Sequence, residues 1–272
     1  MRNISFFGLT LACFATAVYS QTVPYPDEGP AVFVFRILSV DAAQRDAFVA
    51  CLTKNDLPFW RDLKKKGLLA KVSVFETTAV DGSKPEVPAW NFVISSEIAE
   101  GGTADSFLQA GEKRKGCDGA PGIELRRVET LKTTPNTHYG RATVEGDRIA
   151  REKKVEFRIE YIAVDPAKLD RWNEVYSTIG GPGIGLPIRD GAYFSADVLL
   201  TVKVNYTQSG MPEWNTIHVL GSFPESARKA VVGVIPPEIS PAAYAAAIAP
   251  LNPFATFPKE DRVRQLFELA VR

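Results

Sequence analysis

The sequence predicts an α+β fold that consists of two consecutive β-α-β-β-α-β units, and three observations lead to this prediction. The segment Pro88–Asn91 recurs 124 positions later as Pro212–Asn215, with its tryptophan-asparagine pair kept. The segment Val40–Phe48 recurs at the same offset as Val164–Trp172, again with an aspartate after the valine. Strand-like and helix-like stretches also follow one another in the same order in both copies. Because the offset is too long for a solenoid repeat, it indicates duplication of a whole domain.

The first copy spans residues 31–134 and begins with an almost entirely apolar strand. Asp41 can cap the helix that follows, and Pro58 breaks or kinks this helix because proline lacks a backbone N–H. The second helix opens at Thr103 or Asp105 and ends near Gly116. The strands are predicted at Val32–Ser39, Leu68–Thr77, Trp90–Ile98 and Glu124–Thr133, and the first helix at Asp41–Lys66. This order of elements is that of the ferredoxin-like unit.

The second copy spans residues 154–272 and follows a linker over residues 135–153. Asp165 and Pro166 start its first helix, because proline is favoured at the first helical position. The glycine- and proline-rich segment Gly180–Gly191 is either a lid over a cavity or an ordinary loop, and Pro224–Ala249 is a helical region interrupted by prolines. The strands are predicted at Val155–Val164, Ala192–Tyr206, Trp214–Ser222 and Arg262–Val271.

The composition of the 272 residues excludes several classes of protein. The chain has 32 basic and 32 acidic side chains, so it lacks the basic excess that a nucleic-acid-binding protein usually carries. With 45% hydrophobic residues it can form a core. Its 3 cysteines and 2 histidines argue against zinc modules and iron–sulfur clusters, and no metal-ligand cluster stands out.

The first twenty residues have the pattern of a secretory signal peptide. Arg2 is followed by the apolar run Ile4–Val18, and small residues at Val18 and Ser20 fit a cleavage site before Gln21. The run is short for a membrane span, although a retained N-terminal anchor is the alternative. Residues 21–30 form an extended leader. We therefore expect a secreted or periplasmic protein that has no membrane segment once the signal is removed.

Cleavage of the signal peptide leaves two cysteines, Cys51 and Cys117. An even pair in an exported chain is most simply a disulfide, and Cys117 lies in a glycine-rich turn where such a bridge forms easily. The alternative is a catalytic thiol, which needs a base nearby. Neither histidine is close to a cysteine in sequence.

Two such units in one chain resemble a fused form of the dimeric α+β barrel superfamily, which includes antibiotic-biosynthesis monooxygenase-like, EthD-like and chlorite-dismutase-like proteins. The resemblance rests on element order and repetition over nearly the whole mature chain, and no diagnostic catalytic motif accompanies it. It implies two four-stranded sheets that face each other, with helices outside. It also implies that ligands bind in the cavity between the sheets.

Strand alternation then assigns residues to this cavity. In the long strand of the second copy, the apolar face from Phe194 to Val204 is expected against the helices. The opposite faces of the strands are expected to line the cavity. These cavity residues include Val34, Arg36, Leu38, Trp90, Phe92, Arg158, Glu160, Tyr193, Asp197, Leu199, Thr201, Lys203, Trp214 and His218. Such an apolar chamber with a few polar groups is typical of a small-molecule site and fits a hydrophobic or aromatic ligand.

Three residues form the predicted catalytic group. His218 is the predicted general base, and Asp197 or Glu160 would hold its tautomer and stabilise the imidazolium. Arg36 or Arg158 would hold a carboxylate or an oxyanion in the substrate. The predicted substrate-binding walls are Tyr193, Trp214, Trp90 and Phe92.

The same residues allow other interpretations. Arg158, Glu160 and Asp197 can form an ion-pair network with His218 packed beside it, and His218 can also ligate haem. The repeated tryptophan and asparagine can be structural, with the amide closing a turn at the start of a strand.

Two functions remain open at this stage. One is an exported barrel protein that acts on a hydrophobic or aromatic compound as a cofactor-independent monooxygenase or lyase does. The other is a non-catalytic binding protein or scaffold. No cofactor and no nucleic-acid partner is expected, and a homo-oligomer is compatible with both. A barrel that uses His218 in catalysis should leave this side chain open to the cavity, whereas a scaffold should bury it among paired charges.

Overall fold

The computed structural model describes residues 30–81, 90–112, 114, 116–139, 155–180, 193–223 and 249–269, together with residues 242 and 246. The strands are β1 (Val32–Val40), β2 (Leu69–Asp81), β3 (Phe92–Ile98), β4 (Ile123–Tyr139), β5 (Glu156–Val164), β6 (Tyr193–Thr207), β7 (Thr216–Ser222) and β8 (Ala255–Leu269). They form one closed barrel in the order β1-β3-β2-β8-β5-β7-β6-β4. Every neighbouring pair is antiparallel. We call β1–β4 the first half of the barrel and β5–β8 the second half.

The helices follow the first and third strands of the first half and the first strand of the second half. They are α1 (Arg45–Cys51), α2 (Leu57–Lys65), α3 (Ala104–Glu112) and α4 (Leu169–Val175). A π-helical segment, Leu52–Asp56, joins α1 to α2 just before Pro58, and a second one, Tyr176–Gly180, follows α4. Proline lacks a backbone N–H and cannot make the usual helical hydrogen bond. The π turn before Pro58 locally changes the hydrogen-bond pattern, so the helical path continues where a break or kink was predicted.

The apolar residues form three clusters. The barrel core receives side chains from all eight strands, among them Phe33, Phe75 and Leu199, and therefore lies inside the barrel. A first outer cluster packs α1, α2 and α3 against the outer face of the first half. A second outer cluster packs Trp172 and Val175 of α4 against the second half. Both faces of these strands are thus buried, one against the barrel core and one against helices.

Two strands are longer than predicted. β4 was expected to end before Pro135, yet it continues to Tyr139. Its pairing with β6 is interrupted between Thr133 and His138, where Asn136 has a φ of 59°, so the strand passes the proline through a bulge. β8 begins at Ala255 instead of Arg262. Residues 1–29, the loop residues 181–192 and most of residues 224–248 lie outside the described part of the chain.

A disulfide joins Cys51 at the end of α1 to Cys117, with a Cα–Cα distance of 5.9 Å, as predicted. It ties the helical layer of the first half to the turn that precedes β4. Among the described residues, no helix combines the length and the apolar character needed to cross a membrane.

Candidate functional site

Three aromatic side chains occupy the centre of the barrel. The ring centroids of Trp90 and Trp214 are 5.7 Å apart, and Tyr161 lies 5.2 Å from the first and 5.0 Å from the second. The Trp90 indole N–H donates a hydrogen bond of 3.1 Å to the Tyr161 hydroxyl. All three side chains are buried. The two tryptophans thus point into the barrel, on the face that the sequence predicted.

A buried ion pair holds each tryptophan. Arg127 and Glu129 of β4 pair at 3.0 Å; the guanidinium lies 4.0 Å from the Trp214 ring, and the indole N–H donates to Glu129 at 2.9 Å. Lys259 and Asp261 of β8 pair at 2.9 Å, with the ammonium 3.7 Å from the Trp90 ring. Each tryptophan therefore binds to charged groups from the opposite half of the barrel.

Burial dominates the titration of these groups. Burial raises the pKa of Glu129 although Arg127 opposes the shift, and burial raises the pKa of Asp261 to about 6 against the charge of Lys259. Burial also lowers the pKa of Lys259. The pKa of Tyr161 lies well above its ordinary value, because burial and then the charge of Asp261 disfavour the phenolate. The barrel centre therefore disfavours additional charge.

The predicted faces of four strands, β1, β3, β5 and β7, were wrong. Trp90 and Trp214 point inward as predicted, but they precede β3 and β7, and within those strands the residues expected in the cavity, such as Phe92 and His218, face outward. In β1, Phe33, Phe35 and Ile37 point into the barrel core, whereas Val34 and Leu38 belong to the first outer cluster. Because both faces of the strand are buried, alternation cannot tell the inner face from the outer one.

The same reversal occurs in β5. The side chains that point inward are Phe157, Ile159 and Tyr161. The charged residues Arg158 and Glu160 lie on the outer face, where charge can still reach solvent.

His218 lies outside the barrel, between β7 and α4. The ring centroids of Trp172 and Tyr176 are 6.5 and 5.1 Å from its imidazole, and the side chain is 6% exposed. Its Nδ1 lies 2.9 Å from a carboxylate oxygen of Glu160, and Arg158 pairs with the other oxygen at 3.0 Å. The predicted pairing of His218 with Glu160 is thus present, but on the face opposite to the predicted one.

Charges around Glu160 fix its protonation state. Burial raises the pKa of this carboxyl, yet the hydrogen bond and charge of His218, followed by the charge of Arg158, outweigh burial and bring the pKa below its ordinary value. Glu160 is therefore an acceptor near neutral pH, and Nδ1 of His218 carries the proton between them. This leaves Nε2 as the atom with a free lone pair when the imidazole is neutral.

Several buried polar atoms around His218 have no hydrogen-bond partner among the described residues. They are Nε2 of His218, Oγ1 of Thr216 and Nε1 of Trp172. Thr216 and His218 are two residues apart on β7 and therefore share one face. Buried polar atoms in proteins nearly always have a partner, so these unpartnered atoms distinguish this group from the rest of the second outer cluster.

Asp197 has a different partner from the predicted one. Its carboxylate lies 2.5 Å from Nδ1 of His138, on the part of β4 beyond Pro135. The His138 ring makes an edge contact with Phe33 at 5.8 Å, so this pair belongs to the inside of the barrel. His138 was missed because the sequence placed it in a linker; the three threonines at 133, 134 and 137 are a signal that favours a strand there.

The remaining predicted site residues are scattered. Arg36 lies on the outer face of β1 and pairs with Asp118. Phe92 also faces outward and contacts Phe48 of α1 edge to face at 5.0 Å. Arg158 also reaches Glu260 at 3.4 Å. The backbone of Tyr193 starts β6, and its side chain lies outside the described part of the molecule.

The described residues contain no group of three or more His, Cys, Asp or Glu side chains that is arranged to hold a metal ion. Within this part of the chain, the strongest candidate for chemistry is thus the group around His218, which combines an oriented imidazole, unpartnered polar atoms and two aromatic rings.

Comparisons with known proteins give no family for the chain. No protein-family model matches it, and no curated protein matches it. Solved structures do match, among them an anthrone oxidase-like protein, with 10% identity over 89% of this chain and 96% of that one and a TM-score of 0.46. A heme-binding protein from Thermus thermophilus has 11% identity, 90% and 95% coverage and a TM-score of 0.47. A variant of chlorite dismutase from Candidatus Nitrospira defluvii has 9% identity, 86% and 90% coverage and a TM-score of 0.45. At such TM-scores these similarities carry no argument about activity or ligand.

Proposed function

We propose that this chain is an exported protein that binds a small organic molecule, and that its second half carries a proton-accepting site at His218. The observation that carries the proposal is the Nε2 atom of His218, which is buried and has no hydrogen-bond partner among the described residues while Nδ1 is held by Glu160. A carboxylate-oriented imidazole with a free Nε2 is the arrangement of a general base.

The surroundings of His218 favour a ligand with an apolar or aromatic body and one acidic proton. The Trp172 and Tyr176 rings flank the imidazole and offer stacking surfaces, while the Thr216 hydroxyl and the Trp172 indole N–H can donate to an oxygen of the ligand. Glu160 stabilises the imidazolium that forms when His218 takes the proton. Proton abstraction of this kind would begin a cofactor-independent monooxygenase-like or lyase-like reaction.

Two measurements test this proposal. In ¹⁵N spectra, His218 should be the Nδ1–H tautomer when neutral, and Glu160→Gln should abolish that preference, since an amide can donate to Nδ1 as well as accept from it. Native mass spectrometry of protein purified from its own host should show a bound small molecule. His218→Gln should reduce its occupancy at least tenfold, whereas Glu174→Gln, an exposed position on α4, should leave it unchanged. A wild-type protein without any adduct, or equal occupancy in His218→Gln, would contradict the proposal.

The second candidate is a non-catalytic binding protein or scaffold. It is supported by His218 itself, which is not open to the barrel interior but buried outside it beside the Glu160–Arg158 pair, as expected of a scaffold. It is also supported by the packing of the barrel centre, where Trp90, Trp214 and Tyr161 contact one another and the neighbouring charges are paired. Ligand occupancy that depends on His218 without the Nδ1–H tautomer would favour this candidate. Haem ligation through His218 stays a prediction that uses the same Nε2 atom, and a Soret band in protein from the host would reveal it.

The duplication is part of the proposal and has its own support. The strands of the two halves are ordered β4-β1-β3-β2 and β8-β5-β7-β6, which is the same order when each half is counted from its own first strand. The side-chain amide of Asn91 binds the backbone N–H and C=O of Val40, and that of Asn215 binds those of Val164. Both pairs keep the offset of 124 residues.

Export is supported by the disulfide, because such bridges persist in oxidising compartments. N-terminal sequencing of the protein from its host is expected to start at Gln21. A chain that starts at Met1 would favour the retained anchor.

A further inference from the structure

A cavity lies outside the barrel, between the helices of the first half and the strands that they cover. It has a volume of about 770 Å³ and lies between the outer faces of β1, β4 and β6 and the helical layer of α2 and α3. This volume is within the range of sites for small organic ligands. The residues that matter below are Arg36, Asp56, Phe59, Arg114, Asp118 and Tyr206, which all line the cavity. The cavity shares no residue with the group around His218 and does not depend on it.

Two arginines from different parts of the chain line this cavity. Arg36 of β1 pairs with Asp118, and Arg114, which follows α3, pairs with Asp56. The two arginine side chains are 24% and 20% exposed, so both are largely withdrawn from water but still reach the cavity. Burial and, after it, the positive charge of Arg114 lower the pKa of Arg36 to about 10, which places the two guanidinium groups within reach of each other's charge.

The contacts of the two guanidinium groups with described residues occupy only part of their N–H donors. A guanidinium has five N–H groups in a planar fork. Arg114 uses them on Asp56 and on the carbonyl of Asn55 at 3.3 Å, and its plane lies 4.3 Å from the Phe59 ring. Arg36 contacts Asp118. An anion that accepts from both groups would add charge-assisted hydrogen bonds and reduce their mutual repulsion.

The rest of the lining limits what this anion can be. Aromatic rings form much of the wall, namely Phe59, Trp60, Phe107 and Tyr206. The described lining also carries three cationic side chains against four carboxylates, with the exposed pair Lys203 and Asp105 at 3.4 Å on the rim. Because the carboxylates outnumber the cations by one, every negative charge of a ligand needs hydrogen bonds from the arginines to offset repulsion, and the two arginines can supply these to one carboxylate but not to two.

We propose that this cavity is a binding site for a small aromatic monocarboxylate, whose carboxylate bridges Arg36 and Arg114 and whose ring packs against Phe59 and Tyr206. The structure prepares the site in advance. The disulfide fixes Cys117, next to Asp118, to the end of α1, one turn before Asp56. Gly116 leaves room for the Asp118 carboxylate, because a Cβ there would lie 2.6 Å from its Oδ1. The carboxylates that orient both guanidinium groups are thus held in place before a ligand arrives.

Calorimetric titration of the purified full chain with three probes tests the proposal. Benzoate is the monoanion, benzamide is its neutral isostere, and phthalate is the dianion. We expect benzoate to bind at least tenfold more tightly than either of the other two. Arg36→Met and Arg114→Met should each weaken benzoate binding at least tenfold, while Arg171→Met, on α4 and away from the cavity, should change it by less than twofold. Equal binding of benzoate and benzamide, or no binding of benzoate at millimolar concentration, would overturn the proposal.

A second measurement uses the unmodified protein, because either arginine variant leaves a carboxylate without its partner and can fail to fold. Phenylglyoxal reacts with accessible guanidinium groups, and mass spectrometry locates the modified residues. Benzoate should protect Arg36 and Arg114 at least fivefold and leave Arg171, which is 61% exposed on α4, unprotected. Protection of none of the three, or of Arg171 equally, excludes binding between the two arginines.

Discussion

Two asparagine side chains take the place of a strand neighbour. Asn91 accepts from the backbone N–H of Val40 at 2.8 Å and donates to its carbonyl at 2.8 Å; Asn215 makes the same two bonds to Val164 at 3.0 and 2.8 Å. The side-chain amide has one acceptor and one donor at the spacing of a peptide group. It therefore satisfies the strand end on the side where pairing with β3 or β7 has already ended, while the other side pairs with β4 or β8. The structural interpretation of the repeated Trp-Asn thus has a specific geometry.

We expect Asn91→Ala and Asn215→Ala to destabilise the protein to a similar extent. Each substitution leaves one N–H and one C=O of a half-buried strand end without partners, which costs about 2 kcal/mol in total. Urea unfolding would measure the loss. Asn55→Ala, an exposed position, serves as the control and should change the free energy of unfolding by less than about 0.5 kcal/mol. A large difference between the two variants would contradict equivalent roles.

Asp261 should make the stability of the protein depend on pH. Its pKa is raised from 3.8 to about 6 in the folded chain, so the folded state binds a proton that the unfolded state releases between these values. The contribution of this residue to stability is therefore complete below about pH 4 and is lost as the pH rises through 6, by on the order of 3 kcal/mol. Asp261→Asn should remove this component when unfolding is followed from pH 4 to 7.

Glu160 provides the opposite control for that experiment. Its pKa is lowered, so its contribution to stability is present above the ordinary glutamate pKa and is lost as the pH falls. The variant Glu160→Gln should therefore reduce the loss of unfolding free energy at acid pH. It should leave in place the decrease in unfolding free energy between pH 4 and 6 that Asp261 causes. If Asp261→Asn and wild type keep parallel profiles, the carboxyl of Asp261 titrates normally and the assignment is wrong.

The prediction of individual residues depended on whether their strand was placed correctly. Trp90 and Trp214 were expected inside the barrel and lie there. The partner charges Lys259 and Asp261 were missed, because the last strand was predicted to start only at Arg262, whereas β8 starts at Ala255. The opposite charges of Arg127 and Glu129 are a signal that could have identified one buried pair, since residues at i and i+2 of a strand share a face and the next residue on that face is the apolar Leu131.

At the level of elements, the sequence predicts where strands and helices occur better than which side each strand presents. All eight predicted strands are present, and the first helix runs through the position of Pro58 by way of a π turn. The faces of β1, β3, β5 and β7 were reversed, because inner and outer faces are both covered and both require apolar residues. Arg36 and Glu160 were expected in the cavity, yet charged side chains are better accommodated on the helix-covered outer face, near solvent.

The disulfide connects elements that are distant along the chain, and its removal has a predictable cost. It closes a loop of 66 residues between Cys51 and Cys117, for which the chain-entropy model gives about 4 kcal/mol. The double variant Cys51→Ser with Cys117→Ser should lose about that much stability in denaturant unfolding. The bridge supports the first outer cluster, so native ¹H–¹⁵N signals of the second half should stay in place. Loss of native signals throughout would show that the bridge is required for the whole barrel.

At the scale of the molecule, the two halves are joined through the barrel core. β2 pairs with β8 and β4 pairs with β6, so the barrel closes only when both halves are folded. The paired charges of β4 hold Trp214, and those of β8 hold Trp90. Order and repetition in the sequence predicted two units, but neither could reveal that each supplies the partners of the other's tryptophan, because these contacts depend on three-dimensional closure.

The barrel should therefore unfold in one transition. The four tryptophans report on different places, with Trp60 in the first outer cluster, Trp172 in the second and Trp90 and Trp214 in the core. With 5-fluorotryptophan incorporated, all four native ¹⁹F signals should disappear with one midpoint in urea. A Trp60 signal that is lost at a lower urea concentration than that of Trp172 would show that the halves unfold independently.

Closure of the barrel also limits how this protein can associate with others. An open sheet presents a row of free N–H and C=O groups at each edge, to which a peptide or a second copy can add a strand. Each of the eight strands described here has a neighbour on both sides, so the barrel has no edge strand. An unpaired edge is left only where a strand runs past its neighbour, as β6 does when it continues beside β4 to Thr207 after its pairing with β7 has ended at Leu200. Association by strand addition is therefore confined to such strand ends, and that of β6 carries the exposed apolar Val202 and Val204.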